Sequence, residues 1–290
     1  MTRDVASMSA RVITSRAAGQ AAAENFPVAL RVLPGRYRRH LAAVYGFARS
    51  ADDMGDEAPA AERLSLLDEL EADVALLYRP GPGGEGPRLP VVRALAPAVA
   101  ECAIPEQPFL DLIQANRQDQ VITRYPAFAD LLAYCRLSAN PVGRIVLHVF
   151  GAATPEREEL SDLICTGLQL AEHWQDVAED LRAGRIYLPV EDLNAFGVTE
   201  HDLAAPATPP PVRALVGFEV RRARGLLDQG APLVGTLRGA ARLAVAGYVA
   251  GGRAALAVIA ASGCDVLAGA PRPRKRRVAA ELLAAQVRGR

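Results

Sequence analysis

Gln169-Leu170-Ala171-Glu172-His173-Trp174-Gln175-Asp176-Val177-Ala178-Glu179-Asp180 is the stretch that decides the fold class. Gln169, Glu172, Asp176 and Asp180 return at steps of three and four residues, which is the period of a helix and not of a strand. Together they form a polar stripe about three turns long. Leu168, Trp174 and Val177 are left to pack elsewhere.

Asp176 and Asp180 form a D-x-x-x-D pair, and Asp52-Asp53-Met54-Gly55-Asp56 repeats that spacing near the start of the chain. Residues four apart on a helix lie about 40° from one another and roughly 6 Å along the axis, so each pair shows two carboxylates on one face. If the two helices face each other, the shared space becomes an oxygen-rich cage for hard divalent cations. Magnesium completes its shell with substrate phosphates, so the pattern suggests diphosphate chemistry. Acidic residues four apart also occur on ordinary solvated faces. Here, however, Val44-Tyr45-Gly46-Phe47-Ala48 precedes the first pair and the run Ile164 to Leu170 precedes the second, and carboxylates beside core-like sequence need a partner.

The remaining chain extends the helical reading. Windows rich in Ala, Leu, Arg and Glu, with apolar residues three and four apart, run nearly end to end, and alternating runs are scarce. The expected class is all-α, with helices near 36–54, 60–78, 89–102, 107–121, 127–138, 140–151, 157–182, 211–229, 231–263 and 275–287. Pro/Gly segments at 80–90 and 204–211 punctuate these helices without separating domains. A single domain over 1–290 is expected, with 1–20 as a flexible lead-in.

Composition excludes several classes. With 33 basic and 33 acidic residues among 290, no global field draws nucleic acid. Lys275 is the only lysine, so the abundance of arginine reads as coding bias. Cys102, Cys135, Cys165 and Cys264 lack C-x-x-C spacing and read as buried thiols. Residues 1–20 carry Arg3, Arg11 and Arg16 without a signal-type apolar segment, which predicts a cytoplasmic protein. Ala240 to Ser262 is apolar, but Arg242 and Arg253 interrupt it, so it reads as a packed helix and no transmembrane segment is expected. Gly81-Pro82-Gly83-Gly84-Glu85-Gly86 matches G-x-G-x-x-G without a strand before it, and reads as a surface loop. Gly247 and Gly251 suit close helix packing. The histidines His40, His148, His173 and His201 lie near no credible nucleophile.

Tyr45 and Arg49 lie seven and three residues before Asp52, on the carboxylate face. Arg49 has two readings: a salt bridge with the aspartates, or a bidentate grip on a diphosphate oxygen. After the second set, Gly184 breaks the helix, either as a simple cap or so that Arg185 and Tyr187 fold back over the carboxylates.

These motifs carry a resemblance. Asp52-Asp53-x-x-Asp56 with Tyr45 and Arg49 ahead of it, and Gln169 to Pro189, resemble the squalene/phytoene synthase family over about residues 20 to 285. Glu24-Asn25-Phe26-Pro27-Val28, Tyr134-Cys135-Arg136, Ser138 to Arg144 and Trp174-Gln175-Asp176-Val177 resemble its hydroxysqualene synthase branch, of the hopanoid pathway. The resemblance implies an isoprenoid synthase-type helical bundle with a central cavity, Mg2+ as cofactor and a prenyl diphosphate substrate. It makes Asp52, Asp56, Asp176 and Asp180 metal-associated, with Asp53 assisting. Tyr45, Arg49 and Gln169 would contact diphosphate, and Asn25, Phe26, Gln175, Arg185 and Tyr187 would also belong to the substrate site.

Departures from the family pattern are specific. Glu172, counted among the metal residues, stands where the family commonly has Asn, and Gln175 where it often has Arg, so the cage is more acidic and less cationic. Asn25 replaces a Ser. Gly252 falls where phytoene-type members tend to have a substrate-facing Tyr. In the tail, Arg272, Arg274, Lys275, Arg276 and Arg277 could touch diphosphate, meet anionic lipid as a peripheral membrane contact at the inner face, or be merely solvated. The branch implies a carbon–oxygen lyase that ionises presqualene diphosphate and captures water to give hydroxysqualene. The alternatives are a head-to-head prenyltransferase and a non-catalytic assembly factor. Oligomeric state is not legible.

Overall fold

The computed structural model describes residues 33–79 and 83–269. Asn25, Phe26, the lead-in over 1–20, the predicted helix 275–287 and the basic cluster at 272–277 lie outside the described residues. The chain is all-α: thirteen helices and no strand occur among the described residues, with one isolated parallel bridge between Arg124 and Ile186. The described residues divide into two compact units, one comprising those up to Gln120 plus Ile145–Ala153, the other Val121–Arg144 plus the described residues from Thr154.

The first unit is built on helices α1 (Gly35–Asp56), α2 (Arg63–Tyr78), α3 (Pro90–Cys102) and α4 (Gln107–Gln118). Helix α1 buries His40, Leu41, Val44, Phe47, Ser50, Ala51 and Gly55, again at three- and four-residue steps. That stripe packs on α2, α3 and α4, with Phe47 set edge-on to Phe109 at 5.1 Å. Leu67, Leu70, Leu95 and Ile113 complete the core with no exposed surface, and each such side chain contributes about 1.5–3 kcal/mol by burial. Buried Asp73 accepts from the backbone N–H groups of Arg88 and Leu89 at 2.6 and 2.8 Å, which anchors the loop after Gly83 to the start of α3.

The second unit holds α5 (Phe128–Ser138), α7 (Pro155–Gln175), α8 (Val177–Arg182), α9 (Val190–Ala195), α10 (Glu200–Leu203), α11 (Pro210–Gly230), α12 (Leu233–Thr236) and α13 (Gly239–Ala261). Helix α6 (Asn140–Val149) carries the boundary between units within its length. The start of α7 follows helix-entry chemistry closely. Thr154 Oγ1 accepts from the Arg157 N–H at 3.3 Å, Pro155 opens the first turn, and Glu156 and Glu158 sit at the positive end of the dipole.

Helices α7, α11 and α13 pack mutually, and glycines allow the close approach. A Cβ on Gly167 would come within 2.8 Å of Leu227 Cγ, and one on Gly230 within 2.7 Å of the Leu160 carbonyl oxygen. The Ser138 to Arg144 motif acquires a packing explanation on the same helix. Asn140 accepts from the Thr166 hydroxyl at 3.0 Å, and Gly143 leaves room for Ser161 and Cys165. Arg144 pairs with Asp162 at 2.6 Å.

Two expected helices are each split. The 157–182 helix breaks at Asp176, whose backbone (φ −103°, ψ 16°) closes α7 and opens α8. Aspartate favours helix ends because its short carboxylate competes with local backbone bonding. Gln169, Glu172, Asp176 and Asp180 therefore do not form one uninterrupted stripe. The 231–263 helix is interrupted where Leu237 and Arg238 take extended conformations, and Gly239 restarts the chain at φ 55°. Helices α9 and α10 were not expected, being too short to show a period. The latter is held by a reciprocal cap in which the Thr199 N–H reaches Asp202 at 2.9 Å and the Asp202 N–H reaches Thr199 at 3.3 Å.

Helix α13 is long and apolar enough to cross a membrane by length and composition, and two thirds of its apolar window is buried inside the protein, as in a core helix. Its charged Arg253, only 4% exposed, is partnered by Asp228 of α11 at 2.5 and 2.8 Å. The thiols are less uniform than expected. Only Cys135 is fully buried, while Cys102, Cys165 and Cys264 keep some surface, and burial raises all four thiols above their ordinary range.

Candidate functional site

The first carboxylate set lies at the C-terminal end of α1. The steps from Tyr45 to Arg49, Asp52 and Asp56 run beside the buried stripe, so the core that α1 covers also dictates where these side chains emerge. Arg49 Nη2 pairs with Asp53 Oδ1 at 2.6 Å and with Glu57 Oε1 at 2.8 Å, so the salt-bridge role is realised. Burial works against the Arg49 charge, but Asp53, Asp52 and Glu57 outweigh it and hold the guanidinium firmly protonated. The Asp52 carboxylate retains a water-facing surface, yet protein crowds it closely enough to push the carboxyl up to about 6. The Asn116 hydrogen bond and Arg49 pull the other way, and Asp56 and Asp53 add to the rise.

Asn116 of α4 escaped the sequence reading. It is buried, and its Nδ2 donates to Asp52 Oδ1 and to the Leu112 carbonyl, each at 3.1 Å. Gly55, inside the acidic motif, makes this approach feasible: a Cβ there would stand 2.5 Å from Asn116 Oδ1. Around them, Gln120 donates to the Gly55 and Asn116 carbonyls at 3.0 and 2.9 Å, and Arg63 donates to the Asp56 and Ala58 carbonyls at 2.8 and 2.9 Å. The only legible hint was the glycine itself, set inside the acidic motif of a helix.

The second set belongs to the other unit. Trp174, with no exposed surface, and Val177 pack inward as expected, and Gln175 is buried beside Trp174. Glu172, Asp176 and Asp180 are half-buried. His173 was also missed, although its i, i+4 relation to Gln169 could have found it. The two side chains meet at 3.3 Å, and burial lowers the imidazole to about 3, so it is neutral at physiological pH.

Gly184, at φ 83°, is a helix C-cap as well as a point of reversal. Its N–H bonds the Leu181 carbonyl at 2.9 Å, and the Arg185 N–H bonds the Asp180 carbonyl at 2.8 Å, the double bond pattern of a Schellman ending. The chain then returns along Thr123, whose carbonyl accepts the Ile186 N–H at 3.0 Å. The Tyr187 ring stacks on His173 at 3.7 Å and lies 5.8 Å from Tyr134 and 5.7 Å from Tyr125. A small cleft lies beside this stack, edged by Asp180 and closed by Val177, Ile186 and Leu203.

Gly252 is enclosed. A Cβ there would meet Leu168 Cδ2 at 2.6 Å and Leu227 Cδ1 at 2.9 Å, so no larger side chain fits without displacing both leucines. Among the described residues, no group of three or more His, Cys, Asp or Glu side chains is gathered closely enough to hold a metal ion alone.

The helical architecture and the two carboxylate-bearing segments define an isoprenoid synthase-type protein. A squalene/phytoene synthase family model matches residues 20–280. The chain belongs to the squalene/phytoene synthase family, whose members are enzymes of prenyltransferase type that bind prenyl diphosphates. It is 37% identical over 219 residues to a hydroxysqualene synthase of Rhodopseudomonas palustris, covering 74% of this chain and 72% of that one. To a presqualene diphosphate synthase of the same organism it is 33% identical over 201 residues, 68% and 70% of the respective chains. The crystal structure of a squalene synthase from Alicyclobacillus acidocaldarius matches with a TM-score of 0.73 and 42% identity, over 80% of this chain and 86% of that one.

Proposed function

We propose that this protein is a hydroxysqualene synthase, a carbon–oxygen lyase acting on presqualene diphosphate in squalene and hopanoid biosynthesis. The observation that carries the reading is the 37% identity to a hydroxysqualene synthase across three quarters of the chain. Gly252 lends support, since it stands where phytoene-type members tend to have tyrosine and Leu168 and Leu227 would both have to shift to admit a side chain there.

Ionisation requires a poor leaving group to depart with its charge neutralised. Magnesium, when bound, supplies that neutralisation. Asp52, Asp56, Asp176 and Asp180 are the groups proposed to hold it, with Asp53 and Glu172 assisting. The donor chemistry fits: crowding by protein, with smaller additions from Asp56 and Asp53, disfavours the bare Asp52 carboxylate, and a hard cation would relieve that cost. Arg49, protonated and already within reach of two carboxylates, offers its fork to the departing diphosphate.

Heterolysis of the C–O bond leaves the electron pair on diphosphate and a cyclopropylcarbinyl cation, which rearranges. A water oxygen then forms the new C–O bond and releases a proton, so no reductant is consumed. A head-to-head transferase is the second reading, favoured by the 33% identity to a presqualene diphosphate synthase. Product analysis separates the two. With presqualene diphosphate and Mg2+ the purified chain is expected to yield hydroxysqualene and diphosphate, and without Mg2+ neither. Accumulation of presqualene diphosphate, squalene or phytoene from farnesyl or geranylgeranyl diphosphate alone would overturn the lyase assignment.

A further inference from the structure

We infer that Asn116 is a positioning residue for Asp52, and that Gly55 is glycine because the Asn116 amide occupies the space of its side chain. The inference rests on the proposed role of Asp52 as a carboxylate that holds a divalent cation. Both hydrogens of the Asn116 amide are committed, one to the Leu112 carbonyl within its own helix and one to Asp52 Oδ1, each at 3.1 Å. The first bond fixes the amide on α4, so the second transmits the position of α4 to the carboxylate. Asn116 is itself buried, which makes its amide hard to rotate away, while Asp52 keeps exposed surface on its other side. The bond to Oδ1 biases the orientation of the Asp52 carboxylate and leaves lone pairs for a cation.

Three further bonds hold the frame: Gln120 to the Gly55 carbonyl, Gln120 to the Asn116 carbonyl, and Arg63 to the Asp56 carbonyl. The acidic motif is thus gripped on its backbone at Gly55 and Asp56 and on its side chain at Asp52. Residues that orient a metal-binding carboxylate in this way govern affinity without touching the ion, and losing one typically costs about 10- to 100-fold.

Asn116→Ala removes the donor. Gly55→Ala leaves every polar group in place but drives a methyl into the 2.5 Å gap to Asn116 Oδ1, so the amide must move. If both act through the same hydrogen bond, their effects do not add. The test measures Mn2+ binding to the full chain from the electron paramagnetic resonance signal of the free ion, alongside the Mg2+ dependence of presqualene diphosphate turnover. Each single variant is expected to weaken Mn2+ binding about tenfold or more, with the turnover curve moving to higher Mg2+. The double variant should bind Mn2+ no worse than Asn116→Ala alone. Unchanged Mn2+ affinity in both singles, while Asp52→Ala weakens it, overturns the role of Asn116 and leaves the proposed function standing. Effects that multiply in the double variant also overturn it. If Asp52→Ala itself leaves Mn2+ affinity unchanged, the metal reading of Asp52 and this inference fall together.

Discussion

Glu219 has no exposed surface, and its surroundings set up a measurable dependence of stability on pH. Burial is the main cause that raises its carboxyl, a hydrogen bond with Asp192 raises it further, and Arg222 opposes both, leaving it at about 8. Arg222 Nη1 lies 2.7 Å from Asp192 and 3.2 Å from Glu219, with its guanidinium over the rings of Phe128 at 4.0 Å and Phe218 at 4.4 Å. The cluster is therefore close to neutral overall, with the proton on Glu219 shared toward Asp192. The folded value lies above the ordinary 4.5 of the unfolded chain, so the native state binds this proton more tightly. The stability it contributes is full below about 4.5 and is lost as pH rises through about 8.

Between pH 5.5 and 8.5 those two values give a loss on the order of 3 kcal/mol. Glu219→Gln keeps the shape and still donates to Asp192 through its amide, but has no proton to lose. Urea unfolding followed by the fluorescence of Trp174, the single tryptophan, reports on the unit that contains Glu219. The difference in stability between the variant and the natural chain should grow toward high pH by roughly that amount, since all other titrating groups are common to both. Parallel pH profiles for the two chains would refute the protonated carboxyl.

Asp176→Asn is expected to lower presqualene diphosphate turnover on the order of a hundredfold while circular dichroism and the unfolding midpoint stay near those of the natural chain; normal turnover in the purified variant removes Asp176 from the site. Gly252→Tyr should destabilise the second unit by about 1–3 kcal/mol through overpacking against Leu168 and Leu227, measured by the same tryptophan-monitored unfolding, and an unchanged midpoint would show that this region has room. Gly184→Ala forces a side chain into φ 83° and should cost about 1–2 kcal/mol, read as a lower thermal midpoint that glycine restores.

The helices were legible because their signal is local. Along α1, residues 41, 44, 47 and 51 report the buried face, and Tyr45, Arg49, Asp52 and Asp56 report the face beside it. Both acidic motifs and the family could be read for the same reason, since each lies in one short segment. Breaks were less legible. Asp176 has good helical neighbours on both sides, and only the backbone bonds made by its flanking turns reveal that it caps two helices. Four- and six-residue helices such as α10 and α9 contain too few turns to show a period.

Partnerships across long sequence separations left no trace in the residues themselves. Asn116 gave no sign that it meets Asp52, 64 positions away. Nor did Tyr187 announce its stacking on His173, or Arg253 its burial against Asp228. By itself the sequence determined an all-α chain, two carboxylate sets and membership of one enzyme family, because helix period and motif spacing are properties of contiguous residues. Only the tertiary structure decided which neighbour bonds Asp52, why a side chain at Gly55, Gly143 or Gly252 would displace its neighbours, and how a carboxyl without solvent at Glu219 is kept satisfied. Those are matters of distance through space, set when separate helices pack and water is expelled between them.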